Sequence, residues 1–128
     1  MVMIARMNVP APESATPGSA TIEDFDRLDI RAGTVVDAKP FPEARKPSIK
    51  LWVDFGCDIG VKCSSAQVTE HYTPETLIGS QVCCVVNFPP RRIAGFKSEV
   101  LTLGMPDAAG AVVLVRPDLT IPNGGRLF

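Results

Sequence analysis

Residues 69–79, TEHYTPETLIG, interrupt a chain whose neighbouring segments read as β-strand. Thr73 followed by Pro74, Glu75 and Thr76 is a helix-start pattern, and Gly79 is a natural stop, so the stretch predicts a short helical turn. Before it, the hydrophobic period is two. IRAGTVVDAK (30–39) sets Ile30, Ala32, Thr34 and Val36 against Arg31, Gly33, Val35 and Asp37. SIKLWVDFG (48–56) puts Ile49, Leu51, Val53 and Phe55 inward, with Lys50, Trp52 and Asp54 outward. GVKCSSAQV (60–68) is a third strand, with Val61, Cys63 and Ser65 sharing a face. After the interruption, QVCCVVNF (81–88) is apolar on both faces, which predicts cover on both; EVLTLGM (99–105) and AVVLV (111–115) follow.

Five or more short strands with a helical element between the third and fourth is the order of an all-β, five-stranded Greek-key barrel of the OB type. An SH3-like barrel is the alternative, although it seldom carries a helix there. A second short helix is expected upstream, in TIEDFDRL (21–28). Thr21 can cap it, Glu23 and Asp24 suit its positive end, and Ile22, Phe25 and Leu28 form one stripe. Residues 1–20, with Pro10, Pro12 and Pro17 among small polar residues, read as a flexible leader, leaving 21–128 as the barrel domain.

The length of 128 residues suits one domain, and no apolar run approaches a membrane span. No signal-peptide pattern opens the chain, so the expectation is a cytoplasmic protein without membrane insertion. Cys57, Cys63, Cys83 and Cys84 are spaced C-x₅-C and C-C. Adjacent strand residues point to opposite faces, so Cys83 and Cys84 cannot share an ion; reduced, mostly buried thiols are expected and no metal. Catalysis finds no support. His71 is the one histidine, Ser64 and Ser65 lack a nucleophile-elbow context, and Glu23, Asp24, Asp26 and Asp29 belong to the first helix and its exit. Glycine loops for phosphates are missing too, so no cofactor and no enzyme activity are expected.

The chain holds 13 basic and 14 acidic residues, a net charge of -1, so nucleic-acid binding would need local clustering. Two loops supply it. PFPEARKPSIK (40–50) carries Arg45, Lys46 and Lys50; NFPPRRIAGFKSEV (87–100) carries Arg91, Arg92 and Lys97. In an OB-type barrel these loops flank the ligand face. The third strand adds Lys62, Ser64 and Gln67, and Trp52 and Phe96 offer stacking planes. The bland reading is that the loops are merely solvated and Phe96 closes the barrel end. The residues by themselves point to a generic ligand-binding barrel.

The phrases DFDRLDIRAGTVVDA, FPEARKPSIKLWVDFG, KCSSAQVTEHYTPETLIGSQV, VVNFPPRRIAGFKSEVLTLG and VVLVRPDLTIPNGGRL together resemble the CsaA family. That resemblance implies a small cytoplasmic homodimer, an export-related chaperone that shares an OB-fold tRNA-binding domain with bacterial methionyl-tRNA synthetases. By the same analogy Lys62, Ser64, Ser65, Arg91, Arg92, Lys97 and Ser98 are candidate contacts for tRNA or structured RNA. Arg45 and Lys46 join them from the facing loop. Trp52 and Phe96 become candidate contacts for unfolded or precursor polypeptides. A holdase without an RNA role, or a docking module for a synthetase or export partner, stays open. The dimer surface is expected on the first helix, the outer face of the fourth strand and the C-terminal extension.

Overall fold

The computed structural model describes residues 17–128; residues 1–16, most of the expected leader, lie outside the described residues. Helix α1 (Ile22–Asp26) starts at Thr21, whose hydroxyl accepts from Asp24 N while the Asp24 carboxylate accepts from Thr21 N. The strands are β1 (Ile30–Pro40), β2 (Ile49–Asp54), β3 (Val61–Ala66), β4 (Gln81–Val85), β5 (Arg91–Ile93), β6 (Phe96–Ser98), β7 (Leu101–Thr102), β8 (Gly104–Pro106) and β9 (Val112–Leu114). Helix α2 (Pro74–Leu77) sits between β3 and β4, capped by Thr73 with Pro74 in its first turn, where the sequence places it. No helix among the described residues is long and apolar enough to cross a membrane.

Five strands form an antiparallel sheet in the order β3-β2-β1-β4-β7, which curls into the OB-type barrel. Its free edges meet through a short set of hydrogen bonds instead of a ladder. The Cys63 carbonyl accepts from Glu99 N at 2.8 Å and Val100 N at 3.3 Å. Side chains complete the seam: Glu99 Oε1 accepts from Cys63 N at 3.0 Å, and Ser98 Oγ accepts from Ser65 N at 3.0 Å.

The long strand β1 makes the curl possible. Its first half pairs with β4 (Ile30↔Val85 to Thr34↔Gln81), its second half with β2 (Thr34↔Asp54 to Pro40↔Ile49). A register shift between Val35 and Asp37 leaves Val36 exposed, the local kink a β-bulge produces. This corrects the simple alternation expected for 30–39. Val35 is fully buried in the barrel, and Ala38 takes over the inner face after the bulge. Ile30 belongs instead to a separate outer cluster. Position 33 requires glycine because a Cβ there would lie 2.6 Å from Val53 Cγ1 and 2.8 Å from the Asp54 carbonyl.

The barrel interior is filled by Val35, Leu51, Val53, Phe55, Leu77, Val82 and Cys84, each at most 1% exposed. Burying each large apolar side chain of this set contributes roughly 1.5–3 kcal/mol. Strand β4 is covered on both faces, as its composition requires. Cys83 and Val85 pack outside the barrel with Ile30, Phe25, Leu28, Leu103 and Val115. The outer face of β4 thus packs against residues of its own chain. The C-terminal segment covers the remaining half-edge of β1: Gly124 N donates to Ala32 O, Ala32 N to Gly125 O, and Leu127 N to Ile30 O, all at 2.8–2.9 Å. Only glycine fits at 124, where φ is +90° and a Cβ would stand 2.5 Å from the Phe55 carbonyl.

Candidate nucleic-acid interface

The two basic loops face each other across one end of the barrel. The first, between β1 and β2, is folded on itself: Phe41 N donates to Ser48 O, and Ser48 Oγ donates to the Lys46 carbonyl at 2.9 Å. Phe41 is buried at its root, while Arg45 and Lys46 project into solvent. The second is not an irregular loop. It folds as the β5–β6 hairpin, with Arg91↔Ser98, Arg92↔Lys97 and Ile93↔Phe96 as pairs. Ala94 and Gly95 make its two-residue turn at φ 47° and 82°, both in the left-handed region that primed hairpin turns demand. Ala in the first turn position hides this hairpin from the sequence, since asparagine, aspartate or glycine is the usual signal there.

Between the walls runs a groove of about 620 Å³, lined by Arg45, Lys46, Ser65, Gln67, Arg91 and Arg92 over an apolar floor that includes Val68 and Leu114. Arg45, Lys46, Arg91, Arg92 and Lys97 are exposed, and among the described residues none of them has an ion pair. Uncompensated cations around a concave surface focus a positive potential on it, which a net charge of -1 conceals. The arrangement can accept a run of phosphates and has donors in Gln67 and Ser65 for base or sugar edges.

The other expected residues divide. Ser64 is fully buried; its hydroxyl accepts from Thr102 Oγ1 at 2.8 Å, so it faces the interior and cannot meet a ligand. This corrects its assignment to the interface. The cause is register: Ser64 pairs with the inward Leu51, and Ser65 with the outward Lys50. Lys62 shares the Ser64 side of β3, pairs with Val53, and does not line the groove. Ser98 is occupied at the barrel seam, as above, and Lys97 stands exposed opposite Arg92 without lining the groove.

Phe96 and Trp52 touch each other. Their centroids are 5.9 Å apart at 75°, and Phe96 also meets Phe41 edge-on at 5.5 Å and 70°. Lysines cover the rings: Lys50 Nζ lies 4.6 Å from the Phe41 centroid and 5.1 Å from that of Phe96, and Lys39 Nζ lies 5.6 Å from that of Trp52. Phe41 and Lys39 are the members of this cluster that the sequence reading missed. Lys39 and Lys50 are direct cross-strand partners, a like-charge pairing that costs stability by itself and is offset by the rings beneath each ammonium. Among the described residues no three His, Cys, Asp or Glu side chains are gathered to hold a metal.

A family model described as "Putative tRNA binding domain" matches residues 30–126. The methionine–tRNA ligase of Porphyromonas gingivalis is 35% identical over 122 residues, 94% of this chain and 18% of the ligase. That of Flavobacterium johnsoniae is 36% identical over 122 residues, 94% of this chain and 17% of the ligase. The chain thus spans less than a fifth of the length of these curated relatives. Among solved structures, the chaperone CsaA of Bacillus anthracis superposes with a TM-score of 0.81 at 55% identity, covering 87% of this chain and 100% of that one. The CsaA chaperone protein of Picrophilus torridus gives 0.80 at 44% identity, over 86% of this chain and 100% of that one. An OB-type barrel, a basic groove between its two flanking loops and matches of this extent agree: the chain belongs to the tRNA-binding domain family, as a CsaA member.

Proposed function

We propose that this protein binds tRNA, or a structured RNA of similar shape, through the groove between Arg45/Lys46 and Arg91/Arg92. The observation that carries the reading is the convergence of cations from two loops, far apart in the chain, on one groove whose lining holds no acidic side chain and whose cations form no ion pair among the described residues. Contact is to the phosphate backbone, with Ser65 and Gln67 as secondary donors. The domain acts by binding and not by catalysis, in the cytoplasm, as a homodimer. Two grooves on one particle let a single RNA be held at two points, which raises affinity without new chemistry. The exposed Leu119, Leu127 and Phe128 of the C-terminal segment support placing the subunit contact there.

A titration of tRNA across salt concentrations tests the RNA reading. Replacing both Arg91 and Arg92 by alanine should weaken binding by roughly 10-fold or more and lower the slope of log K against log salt by roughly 1–2. Unchanged affinity in that double variant removes the assignment.

A second reading, export-related chaperone activity, is favoured by the apolar groove floor and by the solved relatives that carry the name chaperone. An extended segment of an unfolded or precursor polypeptide would lie on Val68, Ile93 and Leu114, with Trp52 and Phe96 at its margin. Capture through apolar contact persists in moderate salt, whereas RNA binding does not. A presequence-like peptide competing with tRNA for the groove at low salt, and holding on at high salt, would support both activities in one site. A stable complex with a synthetase or an export partner in pull-downs would favour a docking module instead.

A further inference from the structure

The β5–β6 arm carries two of the four cations that line the groove, yet it is a hairpin of three residue pairs. Such a ribbon is marginal by itself. Its turn holds Ala94 at φ 47°, a conformation that a side-chain-bearing residue keeps only when its surroundings determine it. The root of the arm is tied to β3 by the Ser98 and Glu99 hydrogen bonds. Nearer the tip, the Phe96 ring docks on the barrel. That ring meets Phe41, the root of the facing Arg45/Lys46 loop, and Trp52 of β2. One aromatic junction therefore joins both walls of the groove, and the Lys50 ammonium lies over two of its rings.

We propose that Phe96 and Phe41 are positioning residues that fix the spacing between the two cationic walls. They act on the ligand through the arginines and not by stacking on a base. Without the Phe96 ring the arm would sample many orientations, and binding would have to restrict it. With the ring docked, that ordering is completed during folding, so Arg91 and Arg92 meet a ligand already placed. The proposal rests on reading the groove as the RNA site.

The test compares Phe96→Ala, Phe96→Tyr and Arg91→Ala/Arg92→Ala by tRNA titration at several salt concentrations, with backbone amide relaxation of residues 91–98 in each free protein. Phe96→Ala should weaken binding about 5- to 10-fold, as an added ordering cost at the interface does. Its salt slope should stay that of the unaltered protein, because the same phosphates are met, and the arm amides should become mobile. Phe96→Tyr, which keeps the ring, should restore both affinity and rigidity. Should Phe96→Ala fail to fold, Trp52→Leu removes a neighbour of the ring and leaves the arm intact, with the same outcomes expected in weaker form. Unchanged affinity in Phe96→Ala overturns the proposal. So does a loss of affinity while the arm amides stay rigid, which would make the ring a direct contact. If the double arginine variant binds as the unaltered protein does, the RNA reading itself is wrong, and arm mobility in Phe96→Ala alone decides the positioning role.

Discussion

Thr102 Oγ1 donates a 2.8 Å hydrogen bond to Ser64 Oγ inside the barrel, while the next residue, Ser65, lines the basic groove. Two adjacent serines thus divide structure from ligand contact. Ser64→Ala should lower stability by about 1 kcal/mol, the net worth of one buried hydrogen bond, and leave tRNA affinity alone. Ser65→Ala should do the reverse, weakening tRNA binding with thermal stability nearly unchanged. Melting curves and a tRNA titration on the two variants check the division; equal effects on both readouts would contradict it.

Glycine at position 33 of β1 is a steric requirement. A Cβ at this position meets the Val53 side chain, the Phe55 ring and the Asp54 carbonyl within 2.8 Å, and the carbonyl belongs to the paired strand and cannot rotate away. Gly33→Ala should destabilise the fold by about 2–3 kcal/mol, the usual cost of overpacking. Urea unfolding should show a lower midpoint with an unchanged m-value.

The β8–β9 hairpin is linked to the 69–73 segment by His71 Nε2 and Asp107 Oδ2, 2.7 Å apart. The Asp107 carboxyl is held below its ordinary value of 3.8, first by the hydrogen bond from His71 and next by the amide of Ala111. A folded-state value below the unfolded one gives stability that is fully present above the ordinary value and is lost as pH falls through the lowered one. Acid unfolding of the protein should therefore be steeper below about pH 4 than that of Asp107→Asn, which has no charge there to lose. Melting temperatures from pH 6 to pH 2 on both proteins measure the difference. Parallel acid limbs would remove Asp107 from the account.

The four cysteines should react in a fixed order. Cys57 is exposed, whereas burial raises the thiols of Cys63 and Cys83 and pushes Cys84 up to about 12; Glu99 beside Cys63 adds to its rise. The thiolate is the reactive form, so a disulfide reagent at pH 8 should titrate one thiol quickly and the rest slowly or only in denaturant. Cys57→Ser should abolish the fast phase. A second fast thiol would mean that the seam at Cys63 opens on the timescale of the reaction.

Local rules reached far in this chain because several features depend only on near neighbours. The Thr73–Pro74 start of α2 and the Thr21 cap of α1 are satisfied within one turn, and both appear where their residues predict. The inward set Ile49, Leu51, Val53 and Phe55 is also as read, since β2 lies between two partners and keeps one face to the core throughout. Strand β1 was less legible. It serves two partners with its two halves, and the bulge at Val36 changes which parity points inward.

The period of two determined which side chains share a face; it carries no information about which face turns to the core. Pairing decided that for β3, where Ser64 opposite Leu51 goes inside and Ser65 opposite Lys50 stays out. The sequence by itself determined the first four strands, the two short helices and the two clusters of positive charge, but not the β5–β6 hairpin. That these clusters form the walls of one groove follows only from closing the barrel, which brings the 41–48 loop and the 91–98 arm together at one end. The Phe41–Phe96–Trp52 junction depends on the same closure. Its three rings come from separate segments, and contact between them is a property of the closed sheet that no local pattern encodes.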